Sequence, residues 1–152
     1  MGAPRWLGAE EMRAWRGYLG LVRLLDDRLN RDLQEQSGLT VADYEILVRL
    51  SEAPGRRLRM TELAQGAMIS KSRLSHQMTR MEMGGLARRE VCPTDRRGSF
   101  AVLTDAGYDA LAAAAPGHVG SVRKHLFDRL TPAQVKTLGE LSDAVIAGLA
   151  RD

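Results

Sequence analysis

LAQGAMISKSRLSHQMTRME, residues 63–82, reads as two helices separated by a short turn. The first is expected over Thr61 to Gly66, with Leu63 and Ala64 pointing inward. The second opens after Ser70, whose hydroxyl can cap it, and ends at Gly84-Gly85. Within the second, Leu74, Met78 and Met81 fall on one side, at offsets of four and three. At about 100° per residue, Ser72, His76 and Thr79 take the opposite side, with Arg73, Ser75 and Arg80 at its margins. That face offers hydroxyls, an imidazole and two guanidiniums, and no acid before Glu82. Such groups suit a DNA groove: arginine pairs with guanine, hydroxyls reach base edges or phosphates, and a helix N-terminus favours a phosphate. An ordinary solvated helix face usually mixes acids with bases, which fits this pattern less well.

The flanking segments frame the pair. Downstream, Leu86 to Val91 and Ser99 to Leu103 read as strands around the turn-rich CPTDRRG, residues 92–98, a hairpin with a basic tip. Thr104 can cap an alanine-rich helix through Ala115, which Pro116 should kink or interrupt before it resumes near Val119 to Leu130. A last helix starts at Thr131-Pro132-Ala133-Gln134 and carries the stripe Leu138, Leu141, Val145 and Leu149. Upstream, a helix from about Glu10 to Gln36 places Met12, Trp15, Leu19, Val22, Leu25 or Leu29, and Leu33 on one stripe, with Gly38 beyond its end. Thr40 and Asp43 mark the next helix start, with Leu39 and Tyr44 set for a hydrophobic staple. Ala53-Pro54-Gly55 stops that helix, and Arg56 to Met60 suits a small strand.

The chain has 152 residues, 44% hydrophobic and 27% charged, which suits a globular domain rather than a disordered one. Residues 56–97 hold ten Lys and Arg against four acids, while the rest of the chain carries twelve against fifteen. A basic middle on a mildly acidic scaffold is the footprint of a polyanion-binding module. No apolar run reaches the roughly 18 residues of a membrane span, and Met1 to Gly8 lacks the apolar stretch of a secretory signal. No membrane partner is therefore expected, and the expected location is the cytoplasm.

From Met60 to Gly107 the chain resembles the MarR family of bacterial regulators. The likeness rests on L-A at 63–64, I-S-x-S at 69–72, M-E-x-x-G-L at 81–86, D-R-R-G at 95–98 and L-T-x-A-G at 103–107. These are weak singly and specific in this order and spacing. The resemblance implies a mainly α fold with a small β-wing: a winged helix-turn-helix core over residues 37–103. Terminal helices over 1–36 and 104–152 would form a dimerisation region, the whole being one compact domain. It implies a homodimeric repressor that binds an inverted-repeat operator in double-stranded DNA and is released by a small aromatic ligand. The alternative is a dimeric ligand-binding or protein-interaction module without operator binding.

By the same likeness the helix after Ser70 enters the major groove, with Ser72, Arg73 and His76 placed for bases. Ser70, Ser75, Gln77 and Arg80 would serve phosphates or neighbouring bases. The family's wing motif D-x-R falls on Asp95 and Arg97. There Asp95 can hold Arg97 extended for the minor groove, while Arg96 adds a phosphate contact. Trp15, Arg16, Tyr18 and Tyr44 are the candidates for an aromatic-acid ligand, although packing is the default for Trp15.

No catalytic constellation stands out: there is no Ser-His-Asp arrangement, no paired carboxylates and no glycine-rich phosphate loop, so no enzyme activity and no cofactor are expected. The one cysteine, Cys92, excludes an internal disulfide, and His76, His118 and His125 form no metal-ligand cluster. Cys92 lies near Arg89 and Arg96, which favour a thiolate, yet a plain loop cysteine is the preferred reading.

Overall fold

The computed structural model describes residues 4–150. The elements run α1 (Ala9–Ser37), α2 (Val41–Glu52), β1 (Arg57–Arg59), α3 (Met60–Gly66), α4 (Lys71–Met83), β2 (Ala87–Val91), β3 (Ser99–Leu103), α5 (Asp105–His125) and α6 (Pro132–Leu149), with short 3-10 turns at Pro54–Arg56 and Phe127–Arg129. The chain divides into two compact units, Asn30–His118 and the terminal pair Met1–Leu29 with Val119–Asp152. The boundaries differ from those expected at 36/37 and 103/104. Leu33 near the end of α1, and Leu111 and Ala114 in α5, are buried in the same core as the helix-turn-helix. The outermost residues of the expected terminal region, 1–3 and 151–152, lie outside the described residues.

In the unit Asn30–His118, local chemistry sets each helix end. Gly38 leaves α1 with a φ of 73°, a left-handed setting that glycine adopts without strain. The Thr40 hydroxyl then accepts from the Asp43 amide at 3.0 Å, and Asn30 Oδ1 accepts from the Val41 amide at 2.9 Å, so two orphan donors of α2 are met. Leu39 and Tyr44, the expected staple, are both buried. The three strands form an antiparallel sheet in the order β1-β3-β2, in which Arg57 faces Val102 and Ala87 faces Leu103. Strand alternation turns Ala87, Ala101 and Leu103 into the core with Leu47, Leu50, Leu63 and Leu74.

In the terminal unit, the second half of α5 runs to His125 rather than the expected Leu130, and Phe127–Arg129 forms a tight turn instead. Pro116 does not interrupt α5 as expected. The missing hydrogen bond at a helix-interior proline costs about 3 kcal/mol, and the turns on either side are fixed by burial of Leu111, Ala114 and Ser121. Helix α6 starts as expected: Thr131 and Gln134 exchange hydrogen bonds at 2.9 and 3.3 Å, with Pro132 in the first turn. Yet none of its residues is buried. Leu141 and Leu149 are 61% and 71% exposed, and Leu21, Val22 and Leu24 of α1 are exposed too. Among the described residues no helix is long and apolar enough to cross a membrane.

Candidate nucleic-acid interface

Helix α4 presents the face read from its sequence. Leu74, Met78 and Met81 are buried, and Ser72, Arg73, His76, Thr79 and Arg80 are exposed. The Ser70 hydroxyl accepts from the Arg73 amide at 3.1 Å. Its own proton stays available, so the capping oxygen can also donate to a phosphate. The α3–α4 turn is fixed by Met68, whose φ of 54° is rare for a residue with a β-carbon, and by Ile69 N donating to Ala64 O at 3.0 Å.

Gln77 does not belong to the exposed face. It is 4% exposed, and its Nε2 is buried without a hydrogen-bond partner among the described residues. Its position lies on the helix between Leu74 and Met81, so the side chain enters the core and the expected DNA contact is withdrawn. Arg80 remains exposed, but its Nη2 donates to Asp43 Oδ1 of α2 at 3.2 Å. The Ser75 hydroxyl accepts from Arg89 Nη2 at 3.3 Å.

The wing closes through Cys92 N donating to Gly98 O at 2.9 Å. Asp95 acts on Arg97 through the backbone: its Oδ1 accepts from the Arg97 amide at 3.0 Å, and its carbonyl accepts from Gly98 N at 3.0 Å. The carboxylate thus shapes the tip, and both Arg96 and Arg97 project from it, exposed. Cys92 is buried, with its Sγ 3.4 Å from Thr94 Oγ1, and that bond above all draws the thiol below its ordinary pKa. The arginine that adds to this is Arg59, not Arg89 or Arg96 as expected, because Arg89 turns to α4.

Between the start of α4 and the wing lies a cavity of about 340 Å³ whose lining includes Arg59, Lys71, Asp95, Arg97 and Ser99. Three cations around one carboxylate suit an anion such as a phosphate. Arg59 and Lys71 belong to the basic segment 56–97, but neither falls on the exposed α4 face, so helical spacing gives no signal for them. Other arginines of this unit are spoken for: Arg49 pairs with Glu45 at 3.2 Å, and Arg57 and Arg88 share Glu90 at 3.7 and 2.9 Å. Lys71, Arg73, Arg96 and Arg97 have no ion-pair partner among the described residues.

The four candidate ligand residues divide between the units. Trp15 and Tyr18 stack on α1 with ring centroids 6.1 Å apart, both exposed, with Arg16 exposed between them in sequence. Packing is therefore not the setting of Trp15 within its own chain. Tyr44 belongs to the core of the other unit, its ring 4.3 Å from that of His118.

Comparison with known proteins bears on this geometry. The family model described as MarR family matches residues 37–98. The transcriptional regulator HosA of Escherichia coli O127:H6 is 31% identical over 122 residues, 80% of this chain and 87% of HosA. Among solved structures, Sco3205 of Streptomyces coelicolor, a MarR family transcriptional regulator crystallised in complex with DNA, is 55% identical with a TM-score of 0.93, covering 96% of this chain and 92% of that one. AbsC, a MarR family transcriptional regulator from the same organism, is 50% identical with a TM-score of 0.92 and covers 98% of this chain and all of its own.

Proposed function

The chain belongs to the MarR family, and from that membership and the face just described we propose that it is a homodimeric transcription regulator that reads double-stranded DNA. The observation that carries this reading is the contrast in pairing. Lys71 and Arg73 of α4 and Arg96 and Arg97 of the wing have no ion-pair partner among the described residues, while Arg49, Arg57 and Arg88 of the same unit each lie against a carboxylate, the last two sharing Glu90. Unpaired cations repel one another in the isolated chain, and a polyanion relieves that repulsion. The likeness to Sco3205, crystallised with DNA, supports the same choice of partner.

In this reading α4 lies in the major groove, where Ser72, Arg73 and His76 reach base edges. Ser70, Ser75 and Arg80 contact phosphates or neighbouring bases, Arg96 a phosphate, and Arg97 the minor groove. The recess between Arg59 and Lys71 takes a further phosphate. One helix reads only a few bases, so two copies related by a two-fold axis would read an inverted repeat. The exposed apolar residues of α1 and α6 supply the surface that a second copy would cover. Bound across a promoter, such a dimer represses by excluding other proteins. A small aromatic acid is the proposed inducer, with Trp15, Arg16 and Tyr18 of α1 as its candidate contacts.

The test is a fluorescence anisotropy titration with the duplex adjoining the protein's own coding region, repeated at several salt concentrations. Affinity on the order of 10⁻⁸ M or tighter near physiological salt is expected, falling steeply as salt rises. Affinity no better than for a scrambled duplex of the same length would count against the reading.

A further inference from the structure

Arg89 stands on the inward side of β2, opposite Ala101 of β3, where an apolar residue would be expected. Its guanidinium lies along α4. Nη1 pairs with Glu82 Oε2, and Nη2 donates to the Ser75 carbonyl at 2.5 Å, to Ser75 Oγ at 3.3 Å and to Thr79 Oγ1 at 3.2 Å. The Arg89 amide also donates to Glu82 Oε1 at 2.7 Å. Thr79 Oγ1 itself donates to the Ser75 carbonyl at 3.1 Å, so donors from helix and sheet converge on one backbone oxygen in the middle of α4.

Ser75, Thr79 and Glu82 are spaced four and three apart and form one stripe of the helix. That stripe runs between the buried side of Leu74, Met78 and Met81 and the exposed side of Ser72 and His76. The apolar contacts beneath are non-directional and tolerate a small rotation. Hydrogen bonds to a fixed carbonyl and two hydroxyls do not. A roll of roughly 20° moves a side-chain tip about 6 Å from the helix axis through roughly 2 Å, enough to break a bidentate contact to a base. On the other margin of the same face, Arg80 is held to Asp43.

We propose that Arg89 is a positioning residue for sequence reading: it sets the roll of α4 about its axis and thereby the base discrimination of Ser72, Arg73 and His76. The role rests on the DNA-reading function proposed above. Simple charge pairing would not require it. The Arg89 and Glu82 side chains are 28% and 32% exposed, where solvent screens much of the Coulomb gain. What distinguishes the contact is the planar fork that spans two turns of one helix, a geometry that a lysine cannot reproduce.

The experiment enriches duplexes from a random-sequence pool with the wild-type chain. It then measures affinity for the enriched duplex and for a scrambled duplex of equal composition, at a temperature well below each variant's Tm. Arg89→Lys keeps the charge, so affinity for the scrambled duplex should stay within about twofold, while the enriched-to-scrambled ratio falls about tenfold. Glu82→Gln keeps an acceptor for the Arg89 amide but loses the charge pair, and should lower the ratio about threefold. This second variant decides the matter if Arg89→Lys does not fold. A brace that only stabilises the fold would lower Tm and leave the ratio at its wild-type value. That outcome in folded Arg89→Lys, or in Glu82→Gln if the first does not fold, overturns the proposal. If the wild-type chain enriches no sequence at all, the DNA-reading function falls first and the role of Arg89 falls with it.

Discussion

A β-carbon placed on Gly107 would overlap the carbonyl oxygen of Leu86, so the first turn of α5 rests directly on the backbone that follows α4. The same carbonyl accepts from Thr104 N at 3.2 Å, while the Thr104 hydroxyl donates to Gly85 O at 2.6 Å and accepts from Gly107 N at 3.0 Å. The G-L at 85–86 and the T-x-A-G at 104–107 are therefore the two halves of one joint. Because the obstructing atom is backbone and cannot swing aside, Gly107→Ala should destabilise the fold by about 3 kcal/mol or more. Urea denaturation checks this, with Gly139→Ala as the contrast. Gly139 lies in a helix with nothing near its β-position, so that change should stabilise by up to about 1 kcal/mol.

Gln77 invites a repacking test. A buried amide nitrogen without a partner carries a desolvation penalty of about 1–3 kcal/mol, and Gln77 Nε2 is such an atom. Gln77→Met keeps the length of the side chain and removes the polar group. It should raise Tm by about 2–4 °C for each kcal/mol recovered, and leave DNA affinity unchanged. A loss of affinity without a loss of stability would return Gln77 to the interface.

His118 gives the protein a pH dependence of predictable sign. Its ring packs on Tyr44, its Nδ1 is buried without a partner, and burial lowers its pKa below the usual 6.5. The unfolded chain takes up a proton near that pH while the folded chain resists it. Stability from this group is therefore fully present above pH 6.5 and is lost as pH falls toward the depressed folded value. Thermal melts at descending pH should show His118→Phe losing less stability than wild type. Parallel curves for the two proteins would remove the effect.

The cationic residues of the interface should separate by role. Arg73→Ala is expected to weaken binding to an enriched duplex by about 1–3 kcal/mol, with little change for a scrambled one, if the guanidinium pairs with a base. Arg97→Ala should weaken binding most where A·T-rich sequence narrows the minor groove beside the site. Lys71→Ala should weaken all duplexes alike and reduce the slope of log affinity against log salt by about one. Isotherms over a salt series distinguish the three patterns.

Much of this architecture was legible because it is periodic or local. Leu74, Met78 and Met81 declare the inner side of α4 by spacing alone, and Thr40, Ser70 and Thr131 cap helices through contacts only three residues long. Gln77 is polar by type but inward by angle, beside Leu74 and Met81, and the angle decides its burial. Arg89 and Arg80 were illegible in their pairing, since Glu82 is met across a strand-to-helix contact and Asp43 lies 37 positions away. Pro116 was expected to interrupt α5 on local grounds, and burial of Leu111, Ala114 and Ser121 overrides the local preference. The exposed stripe of α6 was visible as a pattern, but the pattern alone does not say what covers it.

The most direct measurement is the sequence logo of duplexes that the wild-type chain enriches from a random pool. If two copies each lay α4 in the major groove, the logo should be an inverted repeat whose half-site centres lie about 10 base pairs, or a multiple of that, apart. A pool that stays random after repeated rounds, or a logo without two-fold symmetry, would contradict it.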